Sequence, residues 1–156
     1  MNDSIARRDF VTVGGLGLLA NAIAIPAEAN SASLTAREQA NIKLVKQYLE
    51  SLSAKPLDID GIVATYFAPN ASVRWTDDSP PMIGAAAAIA AAKPLMPAGA
   101  WLEIKLLDIF ARGPLVATSR IDIMKIPGQP DTPFGVAGVH IIDDGKFIEY
   151  IDYVIK

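Results

Sequence analysis

The sequence predicts an α+β domain, with helices first and an antiparallel sheet after them. Three observations carry this. Apolar residues recur at spacings of three and four over 33–53, marking an amphipathic helix, and 58–66 and 84–93 are further helical segments. Four long runs rich in β-branched and apolar residues then follow, at 100–111, 115–126, 132–142 and 146–155. Short turn sequences separate most of these runs, so neighbours in sequence should pair as antiparallel hairpins rather than through helical crossovers.

The chain begins with an address. Arg7-Arg8-Asp9-Phe10 is a twin-arginine pattern, and the apolar stretch 11–25 follows it. Pro26-Ala27-Glu28-Ala29 then offers small residues at both positions of an A-x-A cleavage site. The apolar stretch is shorter than the roughly 20 residues a membrane span needs. Residues 1–29 are therefore expected to be a cleaved export signal and 30–156 the mature domain. That domain would be periplasmic or secreted, with no stable membrane span once the signal is removed.

In the first helix Thr35 can cap the start, with Glu38 three residues later as a capping box. Ile42, Val45, Leu49 and Leu52 form its apolar stripe, and Lys55-Pro56 stops it. The second helix should turn Ile59, Ile62, Val63 and Tyr66 inward, and Pro69-Asn70 should mark a turn after it. A short strand over 71–76 puts Val73 and Trp75 on one face and Arg74 on the other. The loop 77–81 carries Asp77 and Asp78, but no histidine or further acid follows at ligand spacing, so no metal site is expected. The helix 84–93 is dense in alanine and ends before Pro94. A joint at 96–99, turns at 112–114 and 143–145, and a proline-rich loop at 127–133 complete the connections.

Half of the residues are apolar, which argues against disorder, and the length allows one domain with a real core. The formal charge of -3 is spread without a basic run, so nucleic acid is not an expected partner. The absence of cysteine excludes disulfides, thiol catalysis and thiolate metal sites. No cofactor motif is read.

The candidate chemistry lies in two strands. Alternation over 115–126 puts Thr118, Arg120, Asp122 and Met124 on one face, and Ala117, Ser119, Ile121 and Ile123 on the other. The second face is expected to be core. On the first, the polar pair sits in a row that starts at Val116 and ends at Met124, which suggests a polar cluster at the bottom of a pocket. In 146–155, Ile148, Tyr150, Asp152 and Val154 share a face, so Asp152 also lies in an apolar row. One arginine can bridge two carboxylates through its planar fork of donors. Two carboxylates in proximity push their pKa values apart, leaving one protonated and one ionised. An acid and a base around one substrate can activate water and protonate a leaving oxygen. A buried salt-bridge network without a reaction is the structural alternative. Met124, Phe134, Val136 and Val154 are expected to line the pocket and to suit a lipophilic small molecule. His140, the single histidine, reads as a neutral core or pocket-edge residue, or alternatively as a base for a different reaction.

The segments Tyr66-Phe67-Ala68, Pro80-Pro81, Gly84, Arg120-x-Asp122, Gly138-Val139, Asp144-Gly145-Lys146 and Asp152-Tyr153 resemble the limonene-1,2-epoxide hydrolase family. That family sits within the wider group of SnoaL-like, ketosteroid isomerase-like domains. The resemblance covers nearly all of the chain after about Ala36. It implies a cone-shaped NTF2-like fold, in which a strongly curved mixed or antiparallel sheet packs on about three N-terminal helices around a deep apolar pocket. It also implies the roles of three catalytic residues. Asp122 would protonate an epoxide oxygen, Asp152 would take a proton from water, and Arg120 would orient and balance both. Water would attack carbon in one step, without a covalent enzyme intermediate. The family holds that water with a Tyr-x-Asn pair, and this chain departs from it with Val73 and Trp75. Tyr150 stands where the family has tryptophan, keeping an aromatic wall and adding a hydroxyl; Trp75 and Tyr150 join the substrate-binding set. Homodimers through the open sheet face are a further implication. An isomerase or polyketide cyclase on the same fold, in which Asp152 or Asp122 abstracts a carbon-bound proton, is the alternative reaction. A non-catalytic carrier of an apolar ligand is the alternative to an enzyme.

Overall fold

A computed structural model describes residues 33–155, so the expected export signal over 1–29 lies outside the described residues. Helix α1 (Ala36–Leu52) opens on the expected capping box. The Glu38 N–H donates to Thr35 Oγ1 at 3.2 Å, and the Thr35 N–H donates to Glu38 Oε2 at 2.8 Å. Glu38 does more than cap. Its Oε1 accepts from the Gly113 N–H at 2.8 Å, while Asn41 donates to the Gly113 carbonyl at 3.1 Å. The start of α1 is thereby bolted to a hairpin turn far away in sequence. These bonds to backbone N–H groups, led by that from Gly113, hold the Glu38 carboxyl below its usual pKa.

Helix α2 (Ile59–Tyr66) starts on the Asp58 side chain, which accepts from the Gly61 N–H at 2.9 Å. Strand β1 (Phe67–Arg74) follows at once, so Pro69-Asn70 is not a turn. It sits in an irregularity of β1, where the pairing register shifts between Phe67 and Ser72. A proline has no N–H for the ladder, and a bulge tolerates that inside a sheet. A two-residue strand, β2 (Met82–Ile83), was not legible in the sequence and pairs with β1. Helix α3 (Ala85–Ala92) passes into a 3₁₀ turn, Lys93–Leu95, that contains Pro94.

Four long strands complete the domain: β3 (Trp101–Arg112), β4 (Leu115–Lys125), β5 (Thr132–Asp143) and β6 (Lys146–Ile155). The sheet order is β2-β1-β6-β5-β4-β3. All neighbours are antiparallel except β1 and β6, so the sheet is mixed, and it curves without closing. The β5–β6 turn places Asp144 and Gly145 at φ 45° and 68°, the geometry for which Asp-Gly is suited in two-residue hairpins.

The buried face of β4 is the one carrying Val116, Thr118, Arg120 and Asp122. This corrects the expectation for Ala117, Ser119, Ile121 and Ile123, which lie on the outer face and are half-buried or exposed. The helices cover the other side of the sheet, and alternation alone does not say which side that is. Ile148 is a second correction. The β5–β6 register shifts between Ile141 and Ile142, so Ile142 pairs with Phe147 and Ile141 with Glu149. Ile148 is the extra residue and turns outward, while Phe147 fills the core. Tyr48 of α1 stands at the centre of that core, edge-on to Phe147 at 5.0 Å and to Tyr150 at 5.6 Å between ring centroids.

The α1 clamp is testable by thermal unfolding. Thr35→Ala should cost about 1 kcal/mol, the usual worth of an N-cap. Glu38→Ala should cost more, because it also orphans the Gly113 N–H; equal losses would show the clamp to be dispensable.

Candidate functional site

Register brings the charged residues together. Thr118, Gly138 and Asp152 lie side by side across β4, β5 and β6, and Arg120 and Asp122 follow Thr118 on the same face of β4. Arg120 leans over Gly138. A Cβ at that glycine would fall 2.5 Å from Arg120 Nη1, 2.7 Å from Thr118 Oγ1 and 3.0 Å from Asp152 Oδ1. The missing side chain is therefore what lets the guanidinium lie between the carboxylates.

Arg120 is 2% exposed and uses each of its nitrogens. Nε donates to Asp122 Oδ1 and Oδ2 at 3.0 and 3.1 Å, Nη2 to Asp152 Oδ2 at 2.5 Å, and Nη1 to Thr118 Oγ1 at 3.3 Å. Tyr150 donates its hydroxyl to Asp152 Oδ2 at 2.7 Å. Two acids thus share one cation, with donors on each.

Burial raises the pKa of both acids, against the pull of Arg120. The environments then differ. The Asp152 charge pushes Asp122 further up, whereas the Tyr150 hydroxyl favours the ionised form of Asp152. For Arg120, burial works against the charge, but the acidic groups around it, Tyr150, Asp152 and Asp122, outweigh that and hold its pKa above the usual value.

The cluster lines a cavity of about 240 Å³. All nine residues singled out in the sequence line it: Arg120, Asp122 and Asp152, with Trp75, Met124, Phe134, Val136, Tyr150 and Val154. Trp75 lies just past the end of β1, and its indole N–H is taken by the Ala88 carbonyl at 2.8 Å. Val73 is fully buried. Neither of these two positions has a free donor for water.

Sequence reasoning missed the helical wall. Tyr48 and Leu52 of α1 reach the cavity, as do Leu57, Ile59, Ala92 and Met96 near its mouth. Tyr48 had a signal: it lies on the α1 stripe, three residues after Val45, and is an aromatic with a polar tip. Ile59 had one too, as an expected inward residue of α2, whereas Leu57 and Met96 had none, because loops bring them there. Leu57, Ile59 and Met96 also border an outer groove where Lys55 lies 3.7 Å over the Trp101 ring.

His140 is behind the site, not in the cavity lining. It is fully buried against Phe147 and Tyr150, and neither ring nitrogen has a hydrogen-bond partner. Burial, reinforced by the Arg120 charge, pushes its pKa down to about 3. It is a neutral core histidine.

Among solved structures, the chain is similar to an LEH-like epoxide hydrolase from M. tuberculosis, with TM-score 0.63 and 24% identity over 76% of this chain and 84% of that one. It is also similar to a protein from Jannaschia sp. CCS1 described as a SnoaL-like polyketide cyclase, with TM-score 0.65 and 14% identity over 78% and 89%. These likenesses establish the cone-shaped NTF2-like fold that the sequence implied. No protein-family model matches the chain, and no curated protein does.

His140 gives a pH prediction. Its folded pKa of about 3 lies below the unfolded value of about 6.5. The unfolded chain therefore takes up a proton first, and stability is lost as pH falls from about 6.5 toward 3. By pH 5 the loss should reach about 2 kcal/mol. Denaturant unfolding of His140→Phe at pH 7 and pH 5 should lack this component; an unchanged pH dependence would show that His140 is not buried as a neutral ring.

Proposed function

We propose that the cavity is the active site of a hydrolase that adds water in one step to the epoxide of a lipophilic small molecule. One observation carries this reading: two buried carboxylates bridged by one guanidinium in the lining of a largely apolar cavity. An isolated charge would not survive there, and the pair is held in unequal environments. Asp122, pushed up by burial and by Asp152, is the proton donor. Asp152, with donors from Arg120 and Tyr150, is the base.

The step balances. Water attacks an epoxide carbon as one of its protons passes to Asp152. The carbon–oxygen bond of the ring breaks, and its oxygen takes the proton of Asp122. The product is a diol, and exchange of a proton back to Asp122 resets the pair. Arg120 keeps its charge throughout and balances whichever acid is ionised. The cavity walls exclude bulk water and favour an apolar ligand body.

A second reading has its own support. Val73 and Trp75 leave β1 without a free donor for water, and one fold neighbour is described as a cyclase. In an isomerase or cyclase, one of the two acids would take a carbon-bound proton and no water oxygen would enter the product.

The outer sheet face suggests an assembly. Phe110, Tyr153 and Ile155 are exposed there at 57%, 45% and 61%, with Ile121, Ala137 and Ile151 between them. An apolar face of this kind marks an interaction surface, and we place a second copy of the chain on it. Sedimentation should give a dimer that Ala137→Glu, at the middle of the face, converts to a monomer. A wild-type monomer at micromolar concentration would remove the proposal.

The catalytic assignment is tested with a panel of cyclic and terpene epoxides in ¹⁸O water. Wild type should yield diol carrying one labelled oxygen. Asp122→Asn and Asp152→Asn should each lower turnover by at least about 10²-fold. The activity profile should be a bell, with its acid limb set by ionisation of Asp152 and its alkaline limb by deprotonation of Asp122. Because both acids are raised, both limbs should lie above the ordinary aspartate value of about 3.9. Folded variants with near-wild-type turnover would overturn the assignment, and product without label would favour the isomerase or cyclase.

A further inference from the structure

The cavity contains a hydroxyl that the reaction as described does not use. Tyr48 comes from near the C-terminal end of α1, is fully buried, and lines the cavity together with Tyr150 and Asp152. Its Oη makes no hydrogen bond of normal geometry, although the Tyr150 hydroxyl lies close enough to pull its pKa down somewhat, and Asp152 Oδ1 has no partner. An unpaired buried polar group costs on the order of 1–3 kcal/mol, and native proteins leave few of them.

The other polar groups on the cavity wall are taken. Tyr150 donates to Asp152, Trp75 donates to Ala88, and Thr76 is paired with Ser79 at 2.6 Å. Each Arg120 nitrogen has its acceptor. Among the described lining residues, Tyr48 offers the one side-chain hydroxyl without a partner. Two orphaned polar atoms on lining residues of one cavity, one from α1 and one from β6, are the pattern that an internal water satisfies, since such waters commonly make two to four hydrogen bonds.

We propose that Tyr48 is the second contact of the attacking water, which donates one hydrogen to Asp152 and the other to Tyr48 Oη. This rests on the hydrolase reading and supplies what Val73 and Trp75 do not. A water held by the base alone is free to rotate about that one bond. With both hydrogens engaged, the plane of the water is fixed, and one of its two lone pairs is directed toward the epoxide carbon. Fixing a reacting pair in this way is a positioning effect. During the step the proton on the Asp152 side moves to the carboxylate, the new carbon–oxygen bond forms, and Asp122 protonates the leaving oxygen. Tyr48 gains and loses nothing. Burial first, and the Asp152 charge second, hold its phenol above the usual pKa, so it remains neutral.

Tyr48→Phe isolates the hydroxyl. The ring is gripped edge-on by Tyr66, Phe67, Phe147 and Tyr150 at 5.0–5.8 Å, and phenylalanine keeps those contacts. The variant should unfold close to the wild-type temperature, because the ring packing is kept and only the hydroxyl's contact with the water is lost. Its kcat should fall by about 10–10²-fold with KM little changed. Val45→Ala loosens the same helix away from the cavity and should lower the unfolding temperature while leaving kcat within about twofold. A ligand-free crystal structure of the wild type should show a water bound to both Tyr48 Oη and Asp152, and that of Tyr48→Phe should lack it. Wild-type kcat in Tyr48→Phe, or no such water in the wild-type crystal, overturns the proposal. A wild type that holds the water but makes no diol overturns the hydrolase reading instead.

Discussion

Everything in the site depends on burying one guanidinium. Arg120 is carried on a central strand, facing helices rather than solvent, and its charge is tolerable because two carboxylates and a hydroxyl receive its donors. The arrangement is crowded enough that a Cβ at Gly138 on β5 would force the side chains around it to shift. Gly138 thus has a place in the electrostatics without having a side chain: it sets how close Arg120, Thr118 and Asp152 can come.

The same burial explains why the two acids are unequal. Both are in low dielectric, so both resist ionisation, and the cation can fully compensate only one charge. Which acid yields is decided by smaller effects: a tyrosine hydroxyl on Asp152, and the charge of Asp152 acting on Asp122. His140 is kept neutral first by its burial and second by the same cation. One positive charge therefore acts on three residues whose protonation burial sets first.

Much of this was legible in the sequence, for reasons that particular residues make clear. The capping box at Thr35 and Glu38 is a local signal and formed as read. The long strands were visible through alternation, and the charged pair on β4 stood out because charges inside an apolar row require partners. What failed was whatever depends on other elements. Alternation groups Ala117 with Ile121 and Ile123, but the helices decide which group is covered. Ile148 left its expected face because a bulge on β6 adds a residue, and the sequence carries no count of such insertions. Pro69 stayed within a strand because the register shifts around it. Trp75 reached the cavity, yet its N–H was already taken by α3, a fact that only packing supplies.

The position of β6 has a consequence for how this domain assembles. The last strand in the chain sits in the interior of the sheet, parallel to β1 on one side and antiparallel to β5 on the other. Until it is in place, the β1–β2 pair and the β3–β4–β5 meander are separate fragments, each with an open edge of unpaired amides. Closing the gap requires contacts between residues about 75 positions apart, such as Val73 with Tyr150. Such closure is entropically slow. The strand that joins the fragments is also the one that carries Tyr150 and Asp152. Assembly of the sheet and of the reactive cluster is one event, so a partly folded chain with β6 undocked has neither a cavity floor nor a base.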